Sequence, residues 1–466
     1  MSYNLLLEKW IPVMRRQGHV DRVGILEALT QACNIRQIAA SNPMDRAAIL
    51  RFLLAFLYWC HPEGSPILPE SFPKEWFIKL DENKDCFNLL GEGKRFYQYK
   101  SSSRNDKKLS VNYLVHEIPT GTNVRHFRHS LDEVDGLCRA CCAMGLLRLP
   151  VFTTQGGKGK SPGINARPPV YAIPLGASLA ETLRLSWRPV SNLGTPAWEE
   201  PDMPLPKAGD VPLLTGLTWL PRRVWLDDPE EPEANCISCG RKEPLIRRCI
   251  FAGIGSTKST AGGRVWRDPH VIRESKDKAI SPSDALYAYD AAAGDWANVA
   301  IGILKGEPDT EKRKVWIVGF ASKQNKYVEA KEYEIPLLLA TNHDKVQNVV
   351  AGIQTWQREG SRLAAKIKKA LPRTEKIGQV IARDLRSHVE SRASAKLGKL
   401  LAGGEDLWEQ AGREYRPIMA ALAQSLSPGY TTTALQKRRQ IAVIKPYIQL
   451  KIKECGKSGP NERGQE

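Results

Sequence analysis

A chain of 466 residues, 42% hydrophobic and 26% charged, is long enough for two or three domains and has the apolar surface to fill their cores, which excludes a disordered polymer. Its 68 Lys and Arg outnumber 51 Asp and Glu and leave a net charge of +17, so a polyanion, nucleic acid first, is favoured as partner over a basic protein that is merely soluble. Neither a secretory signal nor a membrane span is expected: Glu8 and Lys9 break the apolar run of the opening MSYNLLLEKWIPV, and FLLAFLYWC at 52–60 is far shorter than the roughly 20 residues a span requires.

A cytoplasmic protein is expected, with its ten cysteines as free thiols or metal ligands rather than disulfides. Residues 1–341 mix short β-like runs with a few helices and many Pro and Gly, the texture of an irregular α+β domain. NPMDRAAILRFLLAFLYWC, 42–60, predicts a buried helix with Asn42 as N-cap and Pro43 at its first position. The proline-rich, acidic stretches between about 195 and 235 read as exposed connections. KVWIVGF and KYVEAKEYEI flank ASKQN and predict two strands, or a strand and an extended arm, around a turn. Beyond 342 the apolar period becomes helical, as in Val346, Val349, Val350 and Ile353, then Ile377, Val380, Ile381 and Leu385, then Leu407, Ala411, Tyr415 and Ile418. With a fourth segment over about 432–452 and short turns between them, 342–466 predicts a C-terminal four-helix bundle. Residues 343–466 hold 23 Lys and Arg against 12 Asp and Glu, so +11 of the charge sits there, on solvated helix faces or on a nucleic-acid contact.

Two short motifs bear on chemistry. GLCRACC places Cys138 and Cys141 two residues apart, and ANCISCG does the same for Cys236 and Cys239. Each turn is half of a tetrahedral zinc site, so the four together predict one structural zinc closed across 94 intervening residues. Buried free thiols are the alternative, and Cys142 and Cys249 leave open which sulfurs would ligate. TQGGKGKS, 154–161, approaches a P-loop, but Thr154 stands where the first glycine belongs and the prolines of PGINARPPV prevent the required helix. What remains is a Gly-Lys loop, Gly156, Gly157, Lys158, Gly159 and Lys160, suited to close approach by a nucleic-acid groove or to an ordinary surface. No HExxH, GxSxG or paired-carboxylate motif is present, and the chain reads as a binding subunit rather than an enzyme.

YNLLLEKWIPV, GTN before a His/Phe loop, GLCRACCAMGLL, a glycine loop with PGINARPPVYAIPLG, CISCG, and VGFASKQNKYVEAKEYEI resemble, in this order and over essentially the whole chain, the large subunit of the type I-E CRISPR surveillance complex, Cascade. The resemblance implies a non-enzymatic subunit that contacts the crRNA 5′ handle and other Cascade subunits. It also implies recognition of the protospacer-adjacent motif (PAM) in double-stranded target DNA, the start of strand separation for R-loop formation, and a dock for the Cas helicase-nuclease in antiviral defence. By the same resemblance Asn123, His126 and Phe127 belong to a loop contacting crRNA and a neighbouring subunit. Residues 156–160 would lie on the PAM, Lys258 falls near a minor-groove lysine, and Gln324, flanked by Lys323 and Asn325, aligns with a wedge beneath the PAM. From sequence alone SKQNK reads as an ordinary polar turn, and it is the resemblance that favours the wedge. A zinc-stabilised nucleic-acid-modifying enzyme and a protein-only scaffold are the competing readings.

Overall fold

A computed structural model describes residues 3–61, 68–100, 108–117, 136–153, 163–164, 169–188, 190–204, 209–253, 264–265, 268–274, 313–323 and 326–336. The chain divides into two compact units, Met1–Ile280 with Asn298–Glu332, and Ser281–Ala297 with Tyr333–Glu466. The fold below is that of the first unit, with the strand that continues from it to Pro336. The predicted bundle, 342–466, lies outside the described residues.

The helix Pro43–Cys60 is the axis of the core. It starts where the sequence predicts, with the Asn42 side chain accepting the N–H of Met44 at 2.8 Å, and Pro43 standing where a missing N–H costs nothing. It is buried on all sides from Ala47 to Trp59, so other elements must surround it. Helices Arg139–Phe152, Leu179–Ser186 and Leu213–Thr218 do so. At 52, 56 and 59, one face of this helix presents Phe, Phe and Trp to Phe87, Phe96, Tyr97 and Trp198. Edge-to-face pairs such as Phe52–Phe96 (5.4 Å) and Trp59–Trp198 (5.8 Å) set the geometry. Among the described residues no helix is long and apolar enough to cross a membrane.

Here the structure corrects one expectation. The proline-rich stretch after 195 is not simply an exposed connection: Ala197 and Trp198 are fully buried, Leu213–Thr218 is helical, and Trp59 Nε1 donates to Glu199 at 2.6 Å. Burying an indole releases more free energy than its proline and acidic neighbours oppose. Glu230–Asn235 is exposed as expected, but it is a strand rather than a connection, paired antiparallel with Lys242–Leu245.

Three larger sheets complete the α+β unit. Ile11–Arg15 lies between Val20–Val23 and Ile35–Ile38, antiparallel to both. Arg248–Gly253 lies between Lys108–Ser110 and Arg222–Leu226, again antiparallel. The third runs in the order Val271–Glu274, Pro169–Leu175, Lys314–Lys323, Lys326–Pro336.

Buried charges tie distant segments together. The Arg51 and Asp268 side chains are 2% and 1% exposed and form a bidentate pair, with Nη1 to Oδ1 at 2.6 Å. Asp268 also accepts the N–H of His270, and the Arg51 guanidinium lies 4.5 Å over the Tyr171 ring. Arg148 binds Asp45 (2.5 and 2.9 Å) and Glu117 (2.6 Å). Leu114, just before Glu117, packs so closely on Gly145 that a β-carbon there would sit 2.6 Å from the Leu114 Cβ.

Two buried histidines make folding acid-sensitive. Burial, then the Arg51 charge, pushes His270 down to about 3; burial, then Arg148 and Arg222, pushes His116 down to about 3. Both rings stay neutral in the folded protein at a pH where an unfolded histidine, near 6.5, takes up a proton. Their stabilisation is therefore complete above about pH 6.5 and is lost as pH falls towards 3, with a slope approaching about 2.7 kcal/mol per pH unit when both contribute. Denaturant midpoints between pH 8 and pH 4.5 should show this fall, and His270→Asn should roughly halve the slope. A flat profile would contradict it.

Candidate metal centre

Cys236 follows the strand Glu230–Asn235 and opens a tight turn. Its N–H donates to the Arg241 carbonyl, its own carbonyl accepts the N–H of Gly240, both at 2.8 Å, and Gly240 takes a φ of +73° that glycine adopts without strain. Cys138 caps the helix Arg139–Phe152, its Sγ accepting the N–H of Cys141 at 3.4 Å. The halves are joined by backbone: Leu137 and Ile246 exchange N–H···O bonds of 2.9 Å, and Ile237 donates to the Gly136 carbonyl. A β-carbon at Gly136 would lie 2.8 Å from the Leu245 Cβ, so glycine permits this approach.

The sulfurs of Cys138, Cys141, Cys236 and Cys239 all lie within 4.8 Å of one another, with Cys138 and Cys239 at 3.6 Å. A tetrahedral site with metal–sulfur bonds of about 2.3 Å has sulfur–sulfur edges of about 3.8 Å, so the donor set fits a single ion. Cys142 and Cys249 are excluded from it; both are fully buried, and burial pushes the Cys249 thiol up to about 12. All described cysteines are free of disulfides.

The electrostatics point the same way. A hydrogen bond from Cys141 lowers Cys239 to about 6, and bonds from Cys138 and Cys141 hold Cys236 well below the usual thiol range. Cys141, whose sulfur is crowded by the other three, is driven far up. Four thiolates cannot share this volume unaided, and a dication removes the conflict. The Cys236 sulfur also accepts the Cys138 N–H at 3.3 Å. Arg139 is held alongside, its backbone N–H and guanidinium donating to Glu243 at 3.0 and 3.4 Å.

Of the residues predicted for nucleic acid, Lys323 closes the strand Lys314–Lys323. Asn123, His126, Phe127, Gly156, Gly157, Lys158, Gly159, Lys160, Lys258, Gln324 and Asn325 lie outside the described residues. The two strands flanking 324–325 are neighbours in one sheet, and with two residues between them they pair antiparallel. Side chains absent from the sequence reading brace this pair. Arg313, just before the first strand, is paired with Glu181; Trp316 Nε1 donates to Glu332 at 2.9 Å, and Glu332 is paired with Arg46, whose guanidinium lies 4.9 Å over the Trp316 ring. VWIV is an unbroken apolar run and carries no local signal for them.

This α+β unit stapled by four cysteines has the fold of the CasA/Cse1 class of CRISPR-associated proteins. CasA of Thermus thermophilus matches with a TM-score of 0.63 at 19% identity over 96% of this chain and 98% of that one. Thermobifida fusca Cse1 matches with 0.63 at 17% over the same shares, and a chain of a CRISPR RNA-guided surveillance complex with 0.62 at 14% over 96% and 99%. In sequence, the CasA/Cse1 protein of T. thermophilus is 29% identical over 416 residues, 81% of this chain and 76% of the relative. The family model of CRISPR-associated protein Cse1 matches residues 4–443, and the chain belongs to that family.

Proposed function

We propose that this chain is the large, non-enzymatic subunit of a type I-E CRISPR RNA-guided surveillance complex. The family match across residues 4–443 carries the reading, and the net charge of +17 agrees with a nucleic-acid partner. The subunit binds the PAM in duplex DNA, begins strand separation and recruits the Cas helicase-nuclease. The four-cysteine centre holds structural zinc, which leaves no open position for a reactive water. The loop containing Asn123, His126 and Phe127 meets the crRNA 5′ handle and a neighbouring subunit. Residues 156–160 and Lys258 lie on the PAM, where the degenerate minor-groove pattern allows some PAM tolerance.

Gln324 is the wedge. A wedge needs a side chain long enough to replace a base pair, without a charge that phosphates would capture, on a rigid support. The braced strands Lys314–Lys323 and Lys326–Pro336 offer that support. Opening the first step costs a few kcal/mol, so holding it open accelerates R-loop nucleation. Gln324→Ala should slow R-loop formation about 10- to 100-fold on linear duplex, and far less on negatively supercoiled DNA or on a target mismatched beside the PAM. Equal slowing on all three substrates would show that Gln324 is not a wedge.

A further inference from the structure

The outer face of the sheet Lys108–Ser110, Arg248–Gly253, Arg222–Leu226 carries side chains that no step above uses. Lys108 stands opposite Ile250, and Ile250 opposite Trp225. Since Cys249, Val224 and Leu226 point into the core, these three share the outward face. Trp225 is half-buried and held in place: the Arg95 guanidinium lies 4.2 Å from its ring, with Nε donating to Gly91 and Nη1 to Leu226 carbonyls. The exposed Lys100 puts its Nζ 5.6 Å from the same ring. Tyr99 extends the sheet edge through its N–H to Val224, and Arg223 lies 4.9 Å over its ring.

Carboxylates temper this face without neutralising it. Asp227 pairs with Lys108 at 2.8 Å, Asp202 with Arg223 at 2.7 Å, and the exposed Asp228 stands 3.8 Å from Arg95. Lys100 and Arg248 have no acidic partner among the described residues. Half-exposed aromatic rings interleaved with an excess of cations suit a strand whose bases are unpaired: bases stack on the rings while phosphates meet the cations. A duplex keeps its base faces hidden and has no use for the indole.

We propose that this face is a docking track for single-stranded DNA, with a base stacked on Trp225 and phosphates on Lys100 and on Arg248, which is exposed two residues before Ile250 on the same face. The source of that strand rests on the function proposed above, since duplex opening releases one. The strand Arg248–Gly253 also leads directly into residues 254–263, which contain Lys258.

The test uses the full chain alone and a fluorescein-labelled oligothymidylate of about a dozen nucleotides, read by anisotropy. Trp225→Ala should weaken binding about tenfold and Trp225→Tyr no more than about threefold. Lys100→Ala should reduce the slope of log affinity against log salt by about 0.7, one phosphate contact. Wild-type affinity in folded Trp225→Ala would overturn the proposal, as would oligouridylate binding about tenfold more tightly than oligothymidylate. Should Trp225→Ala fail to fold, Lys100→Ala decides, and an unchanged salt slope overturns it. PAM-dependent opening is measured on the assembled complex, so that reading and this one fail separately.

Discussion

Replacing Cys236 by serine is expected to leave the chain without its metal and to lower its melting temperature by more than about 10 °C. Structural zinc sites bind with apparent free energies of about 10–16 kcal/mol, and because no such site exists in the unfolded chain, that binding is folding free energy. A serine hydroxyl does not ionise near neutral pH, so it cannot replace a thiolate that bridges the two halves by accepting the Cys138 N–H. Zinc content should fall from about one equivalent per chain to near zero, and solubility should suffer before DNA specificity does. Cys142→Ala is the control, since Cys142 neighbours Cys141 yet lies outside the ligand set. It should keep its metal and lose only packing. A full equivalent of zinc in folded Cys236→Ser would refute the assignment.

The second large effect is expected at Asp268. Changing it to asparagine leaves the Arg51 guanidinium buried without its counter-charge, and breaking a buried pair in this way costs about 3–5 kcal/mol. The double replacement Arg51→Met with Asp268→Leu removes both charges and should recover most of that loss, the mark of coupled residues. Equilibrium unfolding of Arg51→Met, Asp268→Leu and the double closes the cycle. Additive losses would show that the pair does not act as a unit. Burial alone would raise the Asp268 carboxyl, but Arg51 outweighs it and holds the group below the usual carboxylate range. Its stabilisation is therefore present above about pH 4 and disappears only as pH falls through the folded value. Weakening between pH 6.5 and 4.5 thus belongs to His270 and His116 rather than to this pair.

Local signals were legible where they are repeated or obligatory. Asn42, Pro43 and a continuous apolar run specify a capped, buried helix because cap, backbone and burial agree within 19 residues. The cysteine turns were legible as two halves by their spacing. Which sulfurs close the site depended on the Leu137–Ile246 bridge, which spacing does not encode. Depth was least legible. Proline and acid around Trp198 mark turns, and nothing in the flanking residues says that the indole enters an aromatic cluster formed by residues 52–97. Arg51 and Asp268 stand 217 positions apart, and each alone reads as a solvated charge. Pairing of that kind is decided by topology, after the local rules have had their say.

The helix Arg139–Phe152 carries Cys138 at its first cap and Arg148 near its far end, about 15 Å along its axis. Residues 118–135 leave from Glu117, bound to Arg148, and return at Gly136, beside Cys138. The span between their two abutments is thus set by one rigid rod, whatever lies between. Doubling the number of residues between the two abutments would cost only about 0.6 kcal/mol of closure entropy. Folding stability therefore sets little limit on the length of that segment while the piers stand still; what limits its sequence is the contact proposed for Asn123, His126 and Phe127.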